Sequence, residues 1–165
     1  MIQIIPAQQI VDELKALGFQ QVIDPRDTKY SCPDPGWLGQ FGDYCRLNQP
    51  AKPSSGETGD CDDAAFWAVV EAGKSARKNA AFVGPGYAFD YCRVNIPLVP
   101  VGHEDDWDGA ENTLNGIPTT SRHETDVVRC SNDTWFFFEP QTGLWVGCRD
   151  AIDAGRVGDR LLVLP

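Results

Sequence analysis

The sequence predicts an α+β fold in which helices come first and an antiparallel sheet follows. Apolar residues in the first half recur at helical spacing, whereas the second half carries short alternating runs that are typical of strands. Helices followed by a run of strands indicate an α+β architecture. With 165 residues, of which 42% are hydrophobic, the chain is long enough to bury its own core. We therefore predict one domain, residues 1–165.

The first helix is predicted over residues 7–17, and Gly18 stands where a C-terminal cap belongs. Its apolar face consists of Ile10, Val11, Leu14 and Leu17. Residues 24–59 are rich in Pro, Gly, Asp and Ser, and we predict loops and short turns that wrap on the core. Residues 1–58 would thus form a lobe of helix and loops.

A second helix is predicted to open at Asp60 or Cys61 and to stop near Gly73. It is apolar almost all round, which is typical of a buried helix. Together with the sheet that follows, it makes up residues 59–165.

The sheet is predicted as an antiparallel meander, because apolar and polar residues alternate in short runs separated by turn residues. The predicted strands are residues 87–96, 125–130, 134–139, 144–148 and 161–164. The turn residues "SNDT" join the second of these to the third. A polar, glycine-rich and acidic insertion, residues 102–122, interrupts the meander.

The charge balance is acidic. The chain has 14 basic and 24 acidic residues and a formal net charge of -10, which repels nucleic acid phosphates and anionic membrane surfaces. No window approaches the apolar run of a membrane span, and the N-terminus lacks the pattern of a signal peptide. We expect a soluble, cytoplasmic protein with no nucleic acid or membrane partner.

The cysteines are widely spaced and include no CxxC pair, which argues against a zinc site and only weakly for a disulfide framework. They are Cys32, Cys45, Cys61, Cys92, Cys130 and Cys148. We predict that the five other than Cys61 are small, mostly buried hydrophobic residues.

Cys61 stands apart because it lies at a predicted helix start. Unpaired backbone N–H groups in a first turn lower the pKa of a thiol and can donate to an oxyanion on a bound carbonyl. Asp62 and Asp63 follow at once, and acidic residues are favourable at a helix start for the same dipole reason. A nucleophilic cysteine also needs a base and a group that orients the base.

The chain has only two histidines, His103 and His123, so the choice of base is narrow. His123 begins the first strand of a predicted hairpin and Glu139 ends the second, which places them opposite each other. His103 opens the acidic run "HEDDWDGAEN" and has no such acidic partner. We predict His123 as the base and keep His103 as the alternative; both could also be ordinary surface residues.

Three segments resemble known proteins. "GDCDDAA" at 59–65 resembles the nucleophile segment of papain-like and transglutaminase-like cysteine peptidases. "WFFFEPQTG" at 135–143 is similar to the closing motif of phage and microbial proteins called lectin MOA-related, which resemble the C-terminal domain of a mushroom agglutinin, a calcium-dependent papain-like cysteine peptidase with a Cys-His-Glu triad. "DTKYSCPDPGWLGQF" at 27–41 also looks like that group. The matches cover about half of the chain.

The resemblance implies a papain-like fold with Cys61 as nucleophile, His123 as general base and acid, and Glu139 as the orienting carboxylate. Gln141, two positions after Glu139, is the fallback for the orienting role. A protein or peptide would be the substrate.

The oxyanion hole of papain-like enzymes also uses an upstream amide side chain, for which Gln49 and Asn48 are the nearest candidates. Two features depart from the family pattern. The small residue that follows the histidine in the family is Glu124 here, and the acidic insertion has no counterpart in it.

The resemblance also implies calcium, although no cofactor is required by the residues themselves. Glu104, Asp106 and Asp108, followed by Gly109, alternate like the start of a calcium loop. No acidic residue stands at the twelfth position, where an EF-hand carries its bidentate glutamate. A solvated acidic loop is the alternative interpretation.

The predicted function is that of a cysteine peptidase or amidase that works through an acyl-enzyme. The same triad could pass the acyl group to an amine, as a transglutaminase or deamidase does. The non-catalytic alternative is a papain-like scaffold that serves as a binding or virion-associated protein, with tryptophans in its contacts. If the chain is encoded by a phage, the host cytoplasm or the virion would be its location.

Overall fold

The computed structural model describes residues 3–20, 22, 27–49, 61–79 and 86–162. The helices in these ranges are α1 (Ala7–Ala16), α2 (Pro35–Asn48), α3 (Cys61–Asn79) and α4 (Cys148–Asp153). The strands are β1 (Gln3–Pro6), β2 (Lys29–Cys32), β3 (Phe89–Ile96), β4 (Thr113–Leu114), β5 (Ile117–Pro118), β6 (Thr120–Arg129), β7 (Trp135–Glu139), β8 (Leu144–Gly147) and β9 (Arg160–Leu162). The predicted α+β class is confirmed.

The central feature is a five-stranded antiparallel sheet in the order β8-β7-β6-β3-β9. Two separate two-stranded pairs, β1-β2 and β4-β5, accompany it. Neighbouring residues of β6 serve different cores: Val127 packs in a cluster with α1 and α4, whereas Val128 packs in a cluster with α2 and α3. Because successive side chains of a strand point to opposite faces, the helices cover the sheet on both faces.

The first helix agrees with the sequence pattern. The predicted meander is found for β3, β6, β7 and β8, but β9 pairs with β3 and not with β8. Helix α1 ends one residue before the predicted boundary, and Gly18 closes it with a φ of 80° and an N–H bond to the Lys15 carbonyl. The β6-β7 hairpin turns at the predicted "SNDT", where Asp133 has a φ of 62°. The last predicted strand is found as β9, although residues 163–165 lie outside the described part of the chain.

The prediction of loops over residues 24–59 is wrong where the structure describes that stretch, because it contains β2 and the fourteen-residue helix α2. Asp34 caps this helix by accepting a hydrogen bond from the Gly36 N–H at 2.8 Å, and Pro35 occupies its first position. Positions 24–26 and 50–59 lie outside the described residues.

The glycines of α2 hid the helix from sequence analysis, since glycine disfavours helix interiors. Gly42 has a packing reason: a Cβ there would overlap the carbonyl oxygen of Gly143, in the turn that follows β7. The two backbones touch at this point, so packing overrides the propensity.

Two further predictions need correction in α3. The helix continues past Gly73 to Asn79, and it is not buried all round, because Phe66 and Val70 are exposed. A stripe of alanines buries one face of α3 against the sheet. These contacts outweigh the cost of a glycine in a helix interior, about 1 kcal/mol.

Sequence analysis also missed helix α4 and the β4-β5 hairpin. Strand β8 ends at Gly147 because Cys148 already begins α4. The acidic insertion contains the β4-β5 hairpin, whose turn residues Asn115 and Gly116 both have positive φ, at 49° and 81°. Asn-Gly is a strong hairpin signal, so the sequence did carry this element.

The cysteines follow the prediction made for them. All six are free, the five other than Cys61 are buried, and Cys61 is half-buried. Among the described helices, none combines the length and the apolar character needed to cross a bilayer.

Candidate active site

Cys61 is the first residue of α3, and this helix packs on the inner strands β6 and β3. Asp62 and Asp63 occupy the first turn and are exposed to solvent. The two acids therefore lie in water at the favourable end of the helix dipole, as the sequence indicated.

The structure brings Cys61, His123 and Glu139 into one hydrogen-bonded chain. The side chains of Cys61 and His123 share a hydrogen bond, and His123 Nε2 lies 2.6 Å from Glu139 Oε2. Because Nε2 is occupied by the carboxylate, Nδ1 is the nitrogen that faces the sulfur. His123 is 3% exposed and Glu139 is 1% exposed. Both are thus held inside the protein, with the thiol at the open end of the chain.

The position of Glu139 follows from the register of the hairpin. Phe138 pairs with Asp126, which puts Glu139 level with Thr125 and leaves His123 two residues further along β6. His123 and Glu139 are therefore diagonal neighbours on one face and do not stand directly opposite each other as predicted. The other carboxylate oxygen, Glu139 Oε1, accepts the Gln141 N–H at 3.1 Å, which fixes the orientation of the carboxylate.

The electrostatics favour a thiolate and an imidazolium. The hydrogen bond with His123 lowers the pKa of Cys61, burial opposes this effect, and a hydrogen bond from the Glu124 backbone N–H lowers the pKa further. Burial alone lowers the pKa of His123, but the hydrogen bonds to Cys61 and Glu139 outweigh burial and raise it to about 9. Both shifts favour the ionised pair over the neutral one.

Glu124 forms an ion cluster beside this chain that sequence analysis did not detect. Its Oε1 accepts from Arg93 Nε at 2.7 Å, from Arg122 Nη2 at 3.1 Å and from Arg122 Nε at 3.2 Å. Arg93 lies directly across the β3-β6 ladder from Glu124. The pairing joins residues 31 positions apart, so only the sheet register reveals it.

The remaining candidate side chains make contacts of their own. Gln49 Nε2 donates to the Gln141 carbonyl at 3.0 Å, and Asn48 Nδ2 donates to the Tyr44 carbonyl at 2.9 Å. His103 Nδ1 lies 3.3 Å from Asp106 in its own loop, whereas the histidine that contacts Cys61 is His123. The oxyanion role of the amides stays a prediction.

The acidic loop proposed for calcium is organised by local hydrogen bonds. Glu104 accepts the Gly102 N–H at 3.1 Å, Asp108 accepts the Ala110 N–H at 2.9 Å, and Asp106 faces His103. The described residues contain no group of three or more His, Cys, Asp or Glu side chains that could hold a metal ion. As placed, the loop carboxylates complete turns in their own loop, and calcium binding stays a prediction.

Asp126 is a second buried acid close to Glu139. It is fully buried, and neither of its oxygens has a hydrogen-bond partner. Burial raises the pKa of Asp126 well above its usual range, and the negative charges of Glu139 and Asp90 raise it further. The folded protein therefore carries this side chain as a neutral acid.

Asp126→Asn is expected to stabilise the protein more at pH 7 than at pH 4. The unfolded chain loses this proton above about pH 3.9 while the folded chain keeps it, so wild-type stability falls as pH rises, by about 1.4 kcal/mol per unit up to the folded pKa. Urea unfolding of both proteins at the two pH values measures the difference. An equal effect of the substitution at pH 4 and pH 7 would contradict a neutral Asp126.

No protein-family model and no curated protein sequence matches the chain. Solved structures do match in fold. The PSL1a-E64 complex has a TM-score of 0.59 at 17% identity, over 96% of this chain and 50% of that one. The Polyporus squamosus lectin bound to the human-type influenza-binding epitope Neu5Acα2-6Galβ1-4GlcNAc has a TM-score of 0.54 at 18% identity, over 98% of this chain and 49% of that one. The chain thus spans about half the length of these structures and shares its fold with that half.

Proposed function

We propose that the protein is a thiol hydrolase, a peptidase or amidase of papain-like architecture, in which Cys61 attacks a carbonyl carbon. The observation that supports this proposal most is the chain from the Cys61 thiol through His123 to Glu139. A nucleophile, a base within hydrogen-bond reach and a third group that orients the base are the parts that covalent catalysis requires.

In the proposed reaction the Cys61 thiolate forms a bond to the carbonyl carbon of an amide. The imidazolium of His123 gives its proton to the departing amine, and an acyl-enzyme remains. Neutral His123 then takes a proton from water, whose oxygen attacks the thioester and releases the acid and the thiol. N–H groups of the first turn of α3 would stabilise the oxyanion in both steps.

Glu139 would act through His123. Its carboxylate holds Nε2–H, so Nδ1 stays directed at the sulfur, and its charge stabilises the imidazolium. The Gln141 N–H keeps the carboxylate from rotating away. A transglutaminase or deamidase would use the same three residues with a different acyl acceptor or amide.

Selective alkylation of Cys61 tests the proposal. At pH 6 we expect iodoacetamide to modify Cys61 at least about tenfold faster than N-acetylcysteine, because an ordinary thiol is ionised to less than about 1% at that pH. E64 is an epoxysuccinyl reagent for nucleophilic thiols, and one solved structure of this fold is a complex with it. We expect E64 to label the same residue. Mass mapping identifies the modified cysteine, and Cys61→Ser is the control. Labelling of Cys61 no faster than that of Cys32 or Cys148 would exclude an activated thiol.

A binding protein is the second candidate, and the fold comparison favours it. One structure of this fold is a lectin with a bound sialylated trisaccharide, and one fold can serve binding in one protein and catalysis in another. Carbohydrate would then be the ligand class. Calorimetric titration of Cys61→Ser protein with Neu5Acα2-6Galβ1-4GlcNAc distinguishes the two: saturable binding without thiol reactivity in the wild type supports the binding protein.

A further inference from the structure

Glu124 is an unfavourable neighbour for a thiolate. Its side chain is 3% exposed, so water screens its charge poorly, and this charge acts to raise the pKa of Cys61. Its backbone N–H does the opposite, because it donates to the Cys61 sulfur. One residue thus supplies a hydrogen bond that the thiolate needs and a charge that opposes the thiolate.

Two arginines meet the carboxylate of Glu124 from different strands. Arg93 comes from β3, with its side chain 35% exposed, and Arg122 comes from β6, with its side chain 62% exposed. Both bind Oε1, which leaves Oε2 buried without a hydrogen-bond partner. The positive charges and the carboxylate are therefore in direct contact on the strand that also carries the base.

We propose that Arg93 and Arg122 clamp Glu124 and neutralise its charge, so that its backbone N–H serves the Cys61 sulfur without the carboxylate opposing the thiolate. Arg93, Arg122 and Glu124 are positioning residues, since they act through the Cys61 environment and touch no reacting carbon. The inference rests on the proposed function only in taking the Cys61 thiolate as the reacting species.

Other charged groups near Cys61 do not replace the clamp. These groups are Asp62 and Asp63 on α3, Tyr91 on β3, His123 on β6 and, behind His123, Glu139 on β7. The two aspartates are exposed and screened by water. Burial and the charge of Glu124 raise the pKa of Tyr91, so Tyr91 is neutral. The cations in contact with Glu124 are Arg93 and Arg122.

The test is the pH at which alkylation of Cys61 reaches half its maximal rate, measured for Arg93→Met, Glu124→Gln and the double variant. Arg93→Met should raise this midpoint by roughly half a unit to one unit, because the carboxylate charge is no longer offset. Glu124→Gln should lower it, and the double variant should return close to the wild type. Arg122→Met should raise it less, since its side chain is more exposed.

Arg149→Met is the matched control, because it removes the same charge from an exposed position on α4 that does not belong to the Glu124 ion cluster. Its midpoint should equal that of the wild type. Shifts of Arg93→Met and Glu124→Gln in the same direction, or no shift in either, would overturn the clamp. Every thiol has such a midpoint, so the clamp can be tested whether or not Cys61 is activated. A wild-type midpoint near that of a free thiol would count against the proposed function and not against the clamp. Thermal melting of each variant separates loss of folding from a change at the thiol.

Discussion

His123→Ala is expected to reduce the alkylation rate of Cys61 at pH 6 by about tenfold to a hundredfold, while His103→Ala leaves it unchanged. The hydrogen bond with His123 is the largest influence on the pKa of Cys61 and lowers it, whereas burial, the next largest, raises it. A thiol of ordinary or raised pKa is almost wholly protonated at pH 6. Quenching the iodoacetamide reaction at timed intervals and mapping the modified cysteine by mass spectrometry gives the rates.

The pH dependence gives the same prediction a second readout. Because the pKa of Cys61 is lowered and that of His123 is raised to about 9, the ionised pair persists between the two values. The wild-type rate should therefore rise less steeply with pH between 6 and 8 than the His123→Ala rate, which should rise about tenfold per unit. Equal losses in both histidine variants, or a loss only in His103→Ala, would reverse the assignment of the base.

Arg129→Met is expected to destabilise the protein by about 3–5 kcal/mol, the usual cost of removing one partner from a buried ion pair. Arg129 is 2% exposed and binds Glu13 with two nitrogens, at 2.6 Å and 3.2 Å. Further bonds reach Gln3, Asp133 and Cys32. The guanidinium thus joins the sheet to α1, β1 and β2, and its loss leaves the half-buried Glu13 carboxylate without its cation.

Urea unfolding at pH 7 measures this loss. Arg46→Met is the matched control, because Arg46 pairs with Asp43 on the exposed face of α2 and such pairs contribute about 0–1 kcal/mol. Trp135 Nε1 also donates to Glu13, at 2.7 Å, so near-ultraviolet circular dichroism should report the disturbance. A decrease of less than about 1 kcal/mol in the free energy of unfolding of Arg129→Met would show that the ion pair does not hold α1 on the sheet.

Local patterns were sufficient for much of the fold. The helix over residues 7–17, the hairpin at "SNDT" and the start of α3 rest on periodicity, turn residues and helix signals within about fifteen neighbours. The closeness of His123 and Glu139 is predictable for the same reason. His123 and Glu139 belong to one hairpin, so their spacing of 16 residues already brings them close together.

Contacts between distant segments could not be predicted in the same way. Helix α2 looked like a loop because it is rich in glycine, and the packing reason for Gly42, a backbone contact with Gly143, cannot be read from the sequence. The contacts that Glu104 and Asp108 make with the backbone of their own loop were also not predicted.

The sequence by itself determined which residues alternate, which begin helices and which histidine has a carboxylate at hairpin distance, because these depend on short-range geometry. The tertiary structure alone decided that α3 places Cys61 against His123, that Arg93 faces Glu124, and that Arg129 reaches Glu13 across 116 positions. Strand register and helix packing set these pairs, and both are properties of the whole folded chain because each bond requires two segments to be in place at once.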